Sequence, residues 1–231
     1  MLLKEFDLDL PYLVDTEINS GDATKKDYEE NWKEKRISFR RETRCISALY
    51  ERFLQKYKTV DTWKVLIECV KEVSDPRVRT ALGVTTTQVP FDYDFYIKCG
   101  ESEKKKYILE LLRVGIEKII KDKNWDPSLF LEAYTKIIDV NYLNEWIFKK
   151  PVKSPTKEYL AYVYCEHKIT AFVISIIICD KDKNILLQKT VIEEIPDEFF
   201  FNEHLGKLVW SSPHKVSLIN KEGTQSWSIT I

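Results

Sequence analysis

The run Ile169–Cys179, ITAFVISIIIC, constrains this chain more than any other stretch. A membrane-spanning helix needs about 20 consecutive apolar residues, so an eleven-residue run is too short to cross a bilayer. Its content of Ile, Val and Thr is mostly β-branched, which favours a strand over a helix. The run lacks a polar face, so the strand is predicted to be covered on both sides and to lie inside a sheet. It ends at the polar turn Asp180–Asn184, and Ile185–Ile192 follows, which together read as a hairpin. Tyr159–Cys165, Lys207–Trp210, Val216–Ile219 and Ser226–Ile231 read as further strands, with Gly223 supplying the turn before the last of them. Residues 158–231 are therefore predicted to form an antiparallel β-meander of five or six strands.

The first two thirds of the chain carry a different pattern. Phe6, Leu8 and Leu10 alternate with Asp7 and Asp9, a short strand. Lys25–Tyr57 has no Gly or Pro, and Trp32, Phe39, Ile46 and Phe53 recur near helical spacing. Asp61 is placed to cap a second helix through Val73. Phe91, Tyr93, Phe95, Ile97 and Cys99 alternate with polar residues or Tyr96, which predicts a strand over 91–99. Glu101–Lys121 and Asp126–Phe148 are predicted helices, the second opened by Asp126-Pro127-Ser128. KKPVKSPTKE (149–158), with two prolines and five charges, is the predicted divide. The fold class is thus α+β, a mostly helical part (1–150) with one or two strands followed by the β part (158–231), either as separate domains or as one continuous unit.

Composition narrows the function classes. Only six of 231 residues are Gly, and there is no G-x-G-x-x-G, G-x-x-x-x-G-K-S/T or G-x-S-x-G. The phosphate loops and nucleophile elbows that depend on those glycines are not indicated. A formal net charge of −1 gives no global attraction to nucleic acid or anionic lipid. The start MLLKEFDLDL is acidic and lacks an apolar core, unlike a signal peptide. Five cysteines, odd in number and without C-x-x-C, do not suggest a disulfide framework or zinc ribbon, so a reduced, cytoplasmic chain is expected. Eight of the 36 basic residues are Arg and the rest Lys, a bias that matches AT-rich bacterial or phage coding.

Four constellations carry chemistry. Glu166-His167-Lys168 contains the E-x-K of one group of metal-dependent nucleases, in which carboxylates hold a divalent ion and Lys steadies developing negative charge. Asp92 or Asp94 is the candidate second carboxylate, and the bland alternative is solvated residues at a strand end. His167, His204 and His214 all fall in the β part but lack metal-ligand spacing. Arg36, Arg40 and Arg44, with Arg41 beside them, form a row at i, i+4, i+8 on one helix. Such a row is either an anchor for an acidic partner, a solvated face, or an internal match for Glu42, Asp7, Asp9, Asp92 or Asp94. Finally, EEIPDEFFFNEH (193–204) surrounds Phe199, Phe200 and Phe201 with Glu193, Glu194, Asp197, Glu198 and Glu203. Exposed, that segment suits a basic protein; buried, its aromatics belong to the core.

No catalytic set, cofactor loop or metal cluster stands out. The expectation is a stoichiometric binding protein without cofactor or metal, most concretely a bacterial immunity protein neutralising a toxin or effector. Its candidate contact residues are Arg36, Arg40, Arg41, Arg44, Glu193, Glu194, Asp197, Glu198, Phe199 and Phe200. The alternatives are a metal-dependent nuclease or hydrolase built on Glu166, Lys168 and Asp92 or Asp94, and a phage or plasmid factor that binds a host defence protein.

Overall fold

The computed structural model describes residues 1–12 and 21–231. The chain is α+β and divides into two units, Met1–Tyr142 and Leu143–Ile231. The segment 149–158, expected as the divide, lies within the second unit as strand and turn.

In the first unit the elements are β1 (Leu2–Leu3), β2 (Glu5–Asp9), α1 (Gly21–Asp27), α2 (Lys33–Phe53), β3 (Tyr57–Lys58), β4 (Lys64–Val70), β5 (Arg79–Ala81), β6 (Val84–Pro90), α3 (Tyr93–Tyr96), α4 (Glu101–Lys123) and α5 (Ser128–Asp139). One π-helical turn, Tyr28–Trp32, joins α1 to α2. A four-stranded sheet has the order β2-β4-β6-β5, with β2, β4 and β6 parallel and β5 antiparallel. β1 and β3 pair separately.

Register explains the layers. Phe6, Leu8, Val65 and Ile67 share one face, while Asp7, Asp9, Leu66 and Glu68 share the other. The apolar face is covered by helices: Tyr50 of α2 packs on Phe6 with ring centroids 5.1 Å apart, and α4 sets Gly115 directly over Ile67. α4 begins with the Glu103 carboxylate accepting from the Gly100 N–H at 2.9 Å. It ends at Asn124, whose left-handed conformation (φ 53°) closes the last turn.

Several expected elements differ. Residues 61–73 form no helix: Val65, Ile67 and Cys69 are buried alternately in the parallel strand β4, and β-branched content prevails over the coincidental helical spacing of Trp63, Leu66, Ile67 and Val70. Residues 91–99 form no strand: the Asp92 carboxylate accepts from the Phe95 N–H at 2.9 Å and caps α3, leaving Phe95 and Ile97 exposed. The strand in that region is β6, VTTTQVP, whose buried Thr85 hydroxyl meets those of Thr62 (2.6 Å) and Thr80 (2.9 Å). The helix that opens at Asp126 stops at Asp139, where Asn141 and Tyr142 take positive φ. Among its described residues this unit therefore contains six strands, not one or two.

In the second unit the elements are β7 (Glu145–Lys153), β8 (Leu160–His167), β9 (Phe172–Cys179), β10 (Ile185–Glu194), α6 (Glu198–Phe201), β11 (Lys207–Trp210), β12 (Lys215–Ile219) and β13 (Ser226–Thr230). They form two antiparallel sheets, β10-β9-β8-β7 and β11-β12-β13, in place of one meander. The break falls at Ile195–Gly206, where Pro196 and α6 interrupt the strands. β9 is an inner strand and all eight of its residues are buried. Val163, Ile174, Ile176 and Ile178 of the larger sheet pack with Val216, Leu218 and Ile229 of the smaller, a two-layer sandwich.

A Cβ on Gly115 would stand 2.6 Å from Cδ1 of the fully buried Ile67. Overpacking of this kind costs about 1–3 kcal/mol, against about 1 kcal/mol gained in helix propensity. Gly115→Ala should therefore lower the stability measured by urea unfolding, whereas the same change at an unpacked helical Gly would raise it.

Candidate functional site

The arginine row meets the sheet. β2 is an edge strand, so Phe6 turns its N–H and C=O away from β4. Both are taken by α2: Glu51 Oε1 accepts from Phe6 N at 2.9 Å, and Arg44 Nη1 donates to Phe6 O at 3.1 Å. Arg44 also donates to Asp7 (3.1 Å) and to Glu51 (3.0 and 3.2 Å). Arg36 grips Asp9 with two parallel bonds of 2.8 and 2.6 Å, the geometry a guanidinium fork allows and an ammonium does not. Arg40 lies 3.9–4.0 Å from both carboxylates and keeps half of its side chain exposed. Lys64 completes the set, 2.5 Å from both Asp7 and Glu5. Burial pushes the Asp7 carboxyl up, but the Lys64 bond, with Arg44 and Arg40, outweighs it and holds the group below its ordinary value. Of the possible internal partners, Asp7 and Asp9 are the ones engaged; Glu42 instead binds Tyr96 (2.9 Å) and Lys104 (2.6 Å). Arg41 lies beside the row, half-buried.

The acidic and aromatic segment divides in two. In the single turn of α6 consecutive side chains point about 100° apart, so three successive Phe cannot all face the core. Phe201 is buried and stacks flat on Phe172, centroids 3.6 Å apart and planes 5° from parallel. Phe199 is 83% exposed, and Phe200, 40% exposed, meets it edge-to-face at 5.4 Å. Asp197 caps the turn by accepting from the Phe199 N–H at 3.0 Å. Glu194 accepts from the Ile195 N–H (2.9 Å) and contacts His204 Nε2 (3.2 Å), and these bonds hold its carboxyl below the usual range. Glu193 projects into solvent. Residues 191–206 contain five carboxylates and no Lys or Arg.

The remaining constellations do not assemble. Glu166 pairs with Lys168 at 3.4 Å, at the end of β8, and a strand follows. Asp92 is a helix cap and Asp94 is exposed, so neither sits on a strand. His167 meets the stacked pair Phe172 and Phe201 edge-on, His204 bonds Glu194, and His214 leans on Tyr159. Among the described residues no group of three His, Cys, Asp or Glu is placed to hold a metal ion. Burial pushes the thiols of Cys45 and Cys165 up to about 12, away from nucleophilic chemistry. Among the described residues no helix is long and apolar enough to cross a membrane.

The charge network yields a stability prediction. Because the Asp7 pKa is depressed by folding, its contribution is complete above the unfolded value of about 3.9 and is lost as pH falls through the lower folded value. Asp7→Asn should cost about 3 kcal/mol at pH 7, near the lower end for a broken buried pair, because Arg44 and Lys64 retain some solvent contact. That difference should shrink below about pH 4. Arg44→Ala should lower the melting temperature, and Arg40→Ala should leave it nearly unchanged.

Comparison of the chain with protein-family models, with curated proteins and with solved structures finds no match in any of the three.

Proposed function

We propose that the protein works by stoichiometric binding of a basic protein partner through the Phe199–Phe200 projection of the second unit. The most concrete form of this reading is an immunity protein or inhibitor that occupies a toxin or effector in the cytosol. The observation that carries it is the position of Phe199, whose ring stands in solvent at the tip of a capped turn anchored from below by Phe201. Aromatic side chains at the centre of an interface supply much of its affinity, provided the surrounding contacts exclude water. The ring of Phe199 can be buried by a partner at low entropic cost, because the turn beneath it is already ordered. Glu193 and Glu198 lie in the same cation-free segment and favour a partner of positive charge. Arg36 and Arg44 of the row are matched to Asp9 and Asp7 within the first unit and are left out of the proposed contact.

The test is a titration of the purified chain with the product of the reading frame adjacent to its own gene. A one-to-one complex is expected, with an association rate that falls as salt rises. Phe199→Ala should weaken it about 30-fold, equivalent to about 2 kcal/mol, with no change in melting temperature. Phe201→Ala should instead destabilise the fold by about 3–5 kcal/mol. Absence of a complex overturns the immunity reading, and a complex indifferent to loss of both Phe199 and Phe200 overturns the assigned surface.

A further inference from the structure

The two crossovers of the parallel sheet leave on opposite faces. From β2 the chain passes to α2, on the apolar face. From β4 it crosses the polar face through residues 71–78, where Gln88 Oε1 accepts from the N–H groups of Ser74 (2.9 Å) and Asp75 (3.0 Å). Gln88 shares its face with Glu68, to which its Nε2 donates at 3.2 Å. The carboxyl ends of the parallel strands are the general location of ligand sites in open α/β sheets.

A cleft of about 730 Å³ lies there, at the ends of β2, β4 and β6. Its size is within the range of small-molecule sites, about 300–1,000 Å³. Its walls are aromatic. Trp32 comes from the π-turn and is fixed by its Nε1–H bond to Leu10 O at 3.1 Å. Tyr93 comes from α3, and Tyr107 of α4 stacks on Phe91 with planes 29° apart. Two cations stand among these rings. The Lys35 ammonium is 5.9 Å from the Trp32 centroid and 6.0 Å from that of Tyr93, and Lys71 extends from the end of β4. Among the described residues neither lysine is in a salt bridge, whereas Lys64, Lys104 and Lys123 of the same unit are.

We propose that this cleft binds a small planar aromatic anion, its ring against Trp32 and Tyr93 and its charged group on Lys35 and Lys71. The anionic group is a single one. Asp92 and Asp94 also line the cleft, so its own formal charges balance, and a polyphosphate would meet two carboxylates without the backbone cradle that a Gly-rich loop supplies. A phosphate on a mononucleotide and a carboxylate on an aromatic acid share this chemistry.

Equilibrium titration of the full chain separates them, with AMP, indole-3-acetate, adenosine and inorganic phosphate as probes. At least one of the first two should bind with Kd below about 1 mM, and adenosine and phosphate should each bind at least about tenfold more weakly. Lys71→Gln, at an exposed position, should reduce the affinity about tenfold without altering the melting temperature, and Tyr93→Ala should do the same through loss of the ring. AMP alone binding assigns the site to phosphate esters, and indole-3-acetate alone assigns it to carboxylates. The proposal is overturned if neither aromatic anion binds at about 5 mM, if adenosine binds as tightly as the better of the two anions, or if Lys71→Gln leaves the affinity unchanged.

Discussion

Two carboxylates on an edge strand, Asp7 and Asp9, set the terms for the first unit. Both are buried, and a buried carboxylate without a partner costs several kcal/mol. Their strand lies at the border of the sheet, so the compensating cations come from one neighbouring strand and from a helix running alongside. Lys64 supplies the first and the arginines of α2 the second. The use of Arg in a chain that otherwise prefers Lys follows from geometry, because Arg44 must satisfy a carbonyl, Asp7 and Glu51 at once and Arg36 must bind both oxygens of Asp9. The same contacts close the open edge of β2 against pairing with another chain. They also fix the start of α2, and with it Trp32 and Lys35, at the carboxyl ends of the strands.

The second unit is organised around β9, which supplies apolar side chains to both faces of its sheet. Its partner in fixing the surface is α6, where one aromatic ring enters the core and the next two leave it. The stack of Phe201 on Phe172 is thus the foundation for an exposed feature two residues away. A projecting ring on a mobile loop would lose much of its binding energy to ordering; here the Asp197 cap and the buried ring have already ordered it.

The β part was legible because its strands obey simple rules. The length and β-branched content of Ile169–Cys179 were enough to place an inner strand, and the turn at Asp180–Asn184 followed. The first unit was harder for identifiable reasons. β6 buries Thr85 and Thr87, and a search for apolar periodicity passes over threonines that satisfy one another. β4 mimics a helical stripe because a parallel strand covered on one face also carries Leu66 and Val70. The strong alternation after Pro90 misled in the other direction, since Asp92 acts as a helix cap and the aromatic set is not one face. Among the candidate residues, the Arg row was visible as a pattern, but its partners Asp7 and Asp9 could be named only as possibilities, because a contact between residues about 30 positions apart is a property of the fold. The cleft is not legible in the sequence at all: Trp32, Lys71 and Tyr93 come from three separate segments, and the local patterns of 61–73 and 91–99 point to a helix and a strand where the fold has a strand and a helical turn.

The five carboxylates around Phe199 bear on how the molecule behaves at high concentration. An exposed phenylalanine pair invites self-association, since two such surfaces could bury each other. Any approach of one copy to another through this face brings like charges together, and that repulsion acts before the rings can touch. Carboxylates so placed oppose self-association through the exposed rings, and the opposition falls on like charge alone. Neutralising them, by low pH or by substitution with amides, would remove that repulsion and leave the two rings to apolar attraction alone.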